Sequence, residues 1–143
     1  MKREYRWEKP RTGSFKVNVD ATILKEDGTC FDLVVRDGAG VFRLAAVHRT
    51  RTSRMPEVAE AKAILWALNM SINHHYRPLL IELDCLSVIR KVMEENRTDM
   101  EIETVCREIR NALEEEEELG FVFWEGKEMK QPTCQGGMWL GGV

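Results

Sequence analysis

The chain has 143 residues, of which 43% are hydrophobic and 31% are charged, and its formal net charge is −3. This length suits a single compact domain that buries its own core. No apolar run approaches the length of a membrane span, and the basic N-terminus has no apolar segment behind it, which argues against a secretory signal. The four cysteines form no CxxC pair, so a zinc site is not expected. We expect reduced thiols in an intracellular protein, cytosolic or nuclear by default.

Charge is distributed unevenly along the chain. Residues Glu114–Glu118 form an unbroken acidic run, which is most simply the solvated end of a helix. The centre of the chain is locally basic, and its basic residues are Arg43, His48, Arg49, Arg51 and Arg54. Two interpretations of this basic cluster remain open. It is either a nucleic-acid contact surface, since a phosphate backbone needs only a local positive face, or an ordinary charged hairpin edge.

The first half of the chain predicts three strands after an irregular lead-in over residues 1–14. Phe15–Ala21 alternates strictly, with apolar residues on one face and polar residues, ending in Asp20, on the other. Cys30–Arg36 is rich in Val and Leu, and Val41–His48 follows a tight turn at Asp37–Gly40. Short turns join the three strands, which predicts an antiparallel meander.

The second half alternates between helical and strand patterns. Apolar residues at helical spacing predict helices from Pro56 to about His74, from Leu86 to about Asn96, and from about Ile102 into the Glu run. Short apolar runs predict strands at Leu79–Asp84 and Phe121–Trp124. The order β-β-β-α-β-α-α-β predicts an α/β fold, with a mixed five-stranded sheet and about three helices in one domain over 1–143. The tail over 125–143 is polar and glycine-rich.

Acidic residues fall near the ends of two strands that this topology can place side by side. A helical crossover joins the first strand to the fourth, so Asp20 and Asp84 can meet at one rim of the sheet. Two carboxylates that close repel each other, and a divalent cation is the usual resolution. The first helix offers a third acid. Glu57 and Glu60 are one turn apart, and periodicity alone does not choose between them.

Short stretches along nearly the whole chain carry a family resemblance when they are taken in order. They are Trp7–Pro10 with Gly13, Phe15–Asp20, Val35–Asp37 with Gly40, Ala59–Ala61 with Ala67–Leu68, and Glu82–Asp84 ahead of a helix. The set resembles the ribonuclease H fold, and most of all the plant ribonuclease H-like domains related to retroelement proteins. No single motif is diagnostic, whereas the ordered set is fairly specific.

This resemblance implies a site and a reaction. Asp20, Glu60 and Asp84 correspond to metal-binding catalytic acids that hold Mg²⁺, with Mn²⁺ as a possible substitute. The implied reaction is endonucleolytic hydrolysis of the RNA strand of an RNA–DNA hybrid. The implied partner is therefore an RNA–DNA hybrid or another nucleic acid, and no membrane. Arg43, Arg49, Arg51 and Arg54 are the candidate contacts, and a monomer is expected.

The C-terminal part departs from the family pattern. Lys127–Lys130 stands where the family usually has an Arg-Glu-x-Asn stretch, and Cys134 stands where it has an acidic residue or His near the metals. A soft thiol is a poor ligand for a hard cation. The family's glycine in the second strand is also replaced, around Phe31–Asp32. The alternative hypothesis is therefore a catalytically impaired or inactive domain that binds nucleic acid or acts as a structural module.

Overall fold

The computed structural model describes residues 9–10, 12–24, 28–51, 55–83, 86–94, 100–115, 119–125, 128–129 and 139–140. Its elements are β1 Phe15–Ile23, β2 Thr29–Asp37, β3 Phe42–Thr50, α1 Pro56–Asn73, β4 Leu79–Leu83, α2 Leu86–Glu94, α3 Met100–Glu115, β5 Leu119–Glu125, β6 Glu128–Met129 and β7 Trp139–Leu140. This order confirms the predicted mixed α/β fold and adds two short strands. Within the described helices, none is long and apolar enough to cross a membrane.

The strands form one mixed sheet in the order β3-β2-β1-β4-β5-β6, and β7 pairs with β5. β1 pairs antiparallel with β2, and β2 pairs antiparallel with β3, which confirms the predicted meander. On its other side β1 pairs in parallel with β4, and β4 pairs in parallel with β5. The first and fourth strands therefore lie side by side in the middle of the sheet, as the crossover connection predicts.

The meander extends farther than the alternating pattern predicts. β1 continues to Ile23 and β3 continues to Thr50, because Thr29 of β2 pairs with both of these residues. The register of β1 on β2 has no shift from Phe15 to Ile23. A single uninterrupted register matters for the site, since a slip of one residue would move every side chain to the opposite face.

The core lies between one face of the sheet and the helices, and residues of all three helices contribute to it. Val17 of β1 stands opposite Val35 of β2, and both side chains are fully buried. Four buried alanines in the middle of α1 let its backbone approach the sheet closely: Ala59, Ala61, Ala63 and Ala67. α1 packs on β1 and β2, and α3 packs on α1. The helix begins at Pro56, whose fixed φ suits a first helical position.

The opposite face of β1, β2 and β4 carries polar side chains, and we call it the polar face. It is formed by Lys16, Asn18 and Asp20 of β1, Asp32 of β2 and Glu82 of β4. The alternation of side chains along each strand separates these residues from the core-facing valines. Alternation thus places the Asp20 side chain on the face opposite the core-facing valines of β1.

The turn between β2 and β3 is organised by Asp37. Its Oδ1 accepts hydrogen bonds from the backbone N–H groups of Ala39 at 2.9 Å and Val41 at 3.0 Å. Its Oδ2 accepts a hydrogen bond from Arg43 Nε at 2.8 Å. These bonds, with the Val41 N–H making the largest contribution, hold the pKa of the Asp37 carboxyl below its usual range.

Replacing Asp37 by Asn should destabilise the protein modestly at pH 7, because the charge-assisted bond from Arg43 is lost. A lowered carboxyl pKa adds stability above the unfolded pKa of about 3.9, and this stability is lost as pH falls through the folded value. The deficit of the variant in urea unfolding should therefore be present at pH 7 and shrink below about pH 4. A deficit that is unchanged at low pH would contradict this account.

Candidate functional site

Two carboxylates face each other across β1 and β2. Asp20 stands directly opposite Asp32 in the antiparallel register, and both side chains are exposed. Residues directly opposite on antiparallel strands have Cβ atoms about 4.5–5.5 Å apart, and like charges at that separation are destabilising. The polar face therefore concentrates negative charge at this point.

A third carboxylate, that of Glu82, is buried beside them on β4. Glu82 is the parallel register partner of Asn18, whose Nδ2 donates a hydrogen bond to Glu82 Oε1 at 2.7 Å. Lys16 Nζ lies 3.2 Å from Glu82 Oε2, and the side chains of Lys16 and Glu82 are only 4% and 2% exposed. A buried carboxylate is costly unless it is paired and hydrogen-bonded, and both conditions are met here.

These acids border a common pocket of about 190 Å³. Its lining residues are Asn18, Val19, Asp20, Asp32, Val34, Glu82 and Leu83. Carboxylate oxygens are the donors that hard divalent cations such as Mg²⁺ prefer, so the chemistry of the pocket fits a cation of that class. In the described part of the chain, no three Asp, Glu, His or Cys side chains form a complete metal-ligand set.

The structure places one of the three predicted site acids at the pocket. Asp20 lies at the pocket. Glu60 lies on α1, half-buried and with its Oε2 atom buried, and it is not among the residues that line the pocket. Asp84 lies outside the described residues, as does Cys134 at the doubtful fourth position. The three-acid cluster therefore stays a prediction.

One of the two acids of the first helix contacts another helix. The Glu57 carboxylate forms an ion pair with Lys91 Nζ and so links α1 to α2. This contact gives Glu57 a role in packing α1 against α2. The periodicity of α1 could not reveal this ion pair, since the partner of Glu57 belongs to another helix.

The basic cluster follows the outer strand of the meander. Arg43 and Arg49 are exposed on β3, and Arg51 is exposed just after it, whereas Arg54 lies outside the described residues. Arg43 forms an ion pair with Asp37.

Arg49 lies on the same face of the sheet as Asp20. It is the register partner of Cys30 on β2, and Cys30 is the register partner of Thr22 on β1, two positions after Asp20. Alternation therefore places Arg49 on the polar face, near the two opposed aspartates.

Sequence reasoning did not identify Asp32 or Glu82 as parts of the site. Asp32 could have been found from the hairpin, because the polar link Lys25–Thr29 contains position 26, which is midway between Asp20 and Asp32. Glu82 falls two residues before Asp84 and so shares its face in a strand, which is a usable signal. Its buried pairing with Lys16 depends on the strand register, which no local pattern reveals.

Replacing Asp32 by Asn should stabilise the protein in the absence of divalent cations, by about 0.2–1 kcal/mol, because it removes the like charge opposite Asp20. The gain should be measured by urea unfolding in the presence of a chelator. It should shrink in 1 M salt, where the Debye length falls to about 3 Å. A variant that is less stable than the wild type at low salt would contradict the proposed repulsion.

Comparison with known proteins agrees with this architecture. Residues 18–130 match the family model described as reverse transcriptase-like. No curated protein sequence matches the chain. RNase H1 from the archaeon Halobacterium salinarum superposes with a TM-score of 0.71 at 12% identity, over 78% of this chain and 86% of that chain.

Two further structures are similar at low identity. LC11-RNase H1 from compost, in complex with an RNA/DNA hybrid, has a TM-score of 0.65 at 13% identity, over 78% of this chain and 86% of that chain. The foamy viral protease-reverse transcriptase, also with an RNA/DNA hybrid, has a TM-score of 0.61 at 17% identity, over 78% of this chain and 17% of that chain. Identities this low bear on the fold alone. Together with the family match over most of its length, they show that the chain belongs to the reverse transcriptase-like family and has the ribonuclease H-like fold.

Proposed function

We propose that this domain binds nucleic acid and hydrolyses the RNA strand of RNA–DNA hybrids in a reaction that requires Mg²⁺ or Mn²⁺. The parallel pairing of β1 with β4 carries the proposal. Asn18 and Glu82 are register partners, and Asp20 and Asp84 each follow one of them by two positions in the sequence. This placement supports Asp20 and Asp84 as neighbouring acids, with Glu60 of α1 as the third.

The carboxylates fit the cation that the family resemblance implies, since all of the proposed ligand atoms are oxygens. Bound divalent ions would supply an activated water and stabilise the leaving 3′ oxygen. The residues of the chain have separate tasks. Asp20, Glu60 and Asp84 would hold the ions, while Asp32 adds negative charge beside Asp20. The negative charge of Asp32 can offset part of the negative charge that is lost because Cys134 replaces an acid of the family pattern.

Nucleic acid would be recognised through its backbone. Two of the similar proteins were solved with an RNA/DNA hybrid, which supports a substrate of that class. On this chain the exposed Arg49 lies on the same face as Asp20, and the exposed Arg51 follows β3. Shape, phosphates and 2′-hydroxyls, rather than base sequence, are what such a surface would contact.

Cleavage of a labelled RNA–DNA hybrid tests the catalytic proposal. The wild type should cut the RNA strand with Mg²⁺ or Mn²⁺ and not after chelation. Asp20→Asn, Glu60→Gln and Asp84→Asn should each lower the rate by more than the 10- to 100-fold loss typical of residues outside the ligand shell. Glu108→Gln, which changes an exposed carboxylate on α3, is the matched control and should retain the wild-type rate.

The same assay separates the alternative function. A wild-type protein that binds the hybrid but does not cut it with either ion would establish a nucleic-acid-binding or structural domain instead. The replacement at Cys134 is the sequence feature that favours this second candidate. Cys134→Asp should then restore measurable cleavage if the missing acid is the only defect.

Binding should depend on salt through the arginines of the basic cluster. Arg49→Ala and Arg51→Ala should each weaken hybrid binding and reduce the slope of log K against log[salt] by about 1. Fluorescence anisotropy with a labelled hybrid at several salt concentrations would measure the slope. Arg107→Ala, at an exposed position on α3, should leave it unchanged. Equal slopes in all of these variants would exclude β3 as the contact surface.

A further inference from the structure

The polar face contains a buried group that the proposed reaction does not use, formed by Lys16, Asn18 and Glu82. We propose that Glu82 is a positioning residue. Through Asn18 and Lys16 it holds the ends of β1 and β4 together, so that Asp20 and Asp84 can share divalent cations despite their mutual repulsion. This inference rests on the proposed function, because it concerns the same acids.

The group stands at the end of the parallel ladder between β1 and β4. The pairing of β1 with β4 spans four residue pairs, from Phe15–Leu79 to Asn18–Glu82. The last of these pairs is also joined through its side chains, by the 2.7 Å bond from Asn18 Nδ2 to Glu82 Oε1. In the sequence, Asp20 follows Asn18 by two positions and Asp84 follows Glu82 by two positions. This side-chain hydrogen bond therefore joins the last residue pair of the parallel ladder, two positions in sequence before Asp20 and Asp84.

Charges of both signs meet at this end of the ladder. Carboxylates on neighbouring strands repel each other, and that force acts to separate the ends of β1 and β4. A hydrogen bond to a carboxylate is stronger than a neutral one, and salt screens a buried bond only weakly. Lys16 Nζ, 3.2 Å from Glu82 Oε2, balances the charge of Glu82. Glu82 thus strengthens the strand pair without adding to the repulsion.

The surroundings of Glu82 fit a positioning role better than direct ligation of a cation. Glu82 borders the pocket, but its side chain is only 2% exposed. One of its oxygens accepts the Asn18 bond, and the other lies at ion-pair distance from Lys16. Oε2 accepts no hydrogen bond, so a cation that bound Glu82 at this atom would have to displace the Lys16 ammonium group. Its influence on a metal ion must therefore pass through Asp20 and Asp84, as expected of a residue behind the ligands.

The decisive variant is the double replacement Lys16→Met with Glu82→Leu. Exchanging a buried ion pair for apolar side chains of similar size is often neutral for stability, so the thermal midpoint without metal should be close to that of the wild type. Calorimetric titration with Mn²⁺ should nevertheless show an affinity about 10-fold weaker or more, the range typical of lost support behind metal ligands. A role in stability alone predicts the opposite, unchanged Mn²⁺ affinity.

Asn18→Ala provides a second variant, in case the double replacement does not fold. It should also weaken Mn²⁺ binding about 10-fold or more. The control is Val35→Ala, which creates a cavity on the core face of β2. This control should lower the thermal midpoint at least as much as Asn18→Ala does and leave the Mn²⁺ affinity unchanged.

The outcomes separate the two proposals. If the wild type binds no Mn²⁺, the proposed function fails and the positioning role fails with it. If the wild type binds Mn²⁺ and every folded variant at Lys16, Asn18 and Glu82 binds it equally well, only the positioning role is overturned. Weaker Mn²⁺ binding by Val35→Ala, in proportion to its lost stability, would also overturn the positioning role. General destabilisation would then explain the weaker binding of the other variants.

Discussion

The parallel pairing of β1 with β4 is the constraint on which the rest of the structure depends. It joins the N-terminal meander to the part of the chain that follows α1, and it sets which residues of the two halves become neighbours. Alternation assigns each residue of β1 to the core or to the polar face, and the pairing with β4 brings Glu82 beside the polar residues of β1. The buried group of Lys16, Asn18 and Glu82 lies at the end of this pairing.

Much of the fold could be predicted from local patterns. The alternation in Phe15–Ala21 identified β1 and the face of Asp20, and the apolar spacing after Pro56 identified α1. The crossover then implied that β1 and β4 are neighbours, which the sheet order confirms. These predictions succeeded because each depends on the periodicity of a single segment or on the short list of permitted connections.

The partners of the charged residues could not be predicted, because they depend on information that no single segment contains. Asp32 is opposite Asp20 only because the hairpin register is uninterrupted, and Glu82 is buried only because Lys16 and Asn18 meet it across a parallel ladder. The role of Glu57 likewise depends on Lys91 from a helix more than 30 residues later. Partners far apart in sequence must be located in space before a charged residue can be assigned to packing or to chemistry.

The bond from Asn18 to Glu82 also has a consequence for how the protein folds, because these residues are 64 positions apart in the chain. The hairpins of the meander close short loops, whereas β4 must return across α1 before it can pair with β1. Contacts between distant residues carry a larger closure entropy and form more slowly than local ones. Partly folded chains that contain only the meander would carry Asp20 and Asp32 without Glu82 beside them. The pocket is therefore complete only in molecules that have finished folding, and cation binding there would report the end of that process.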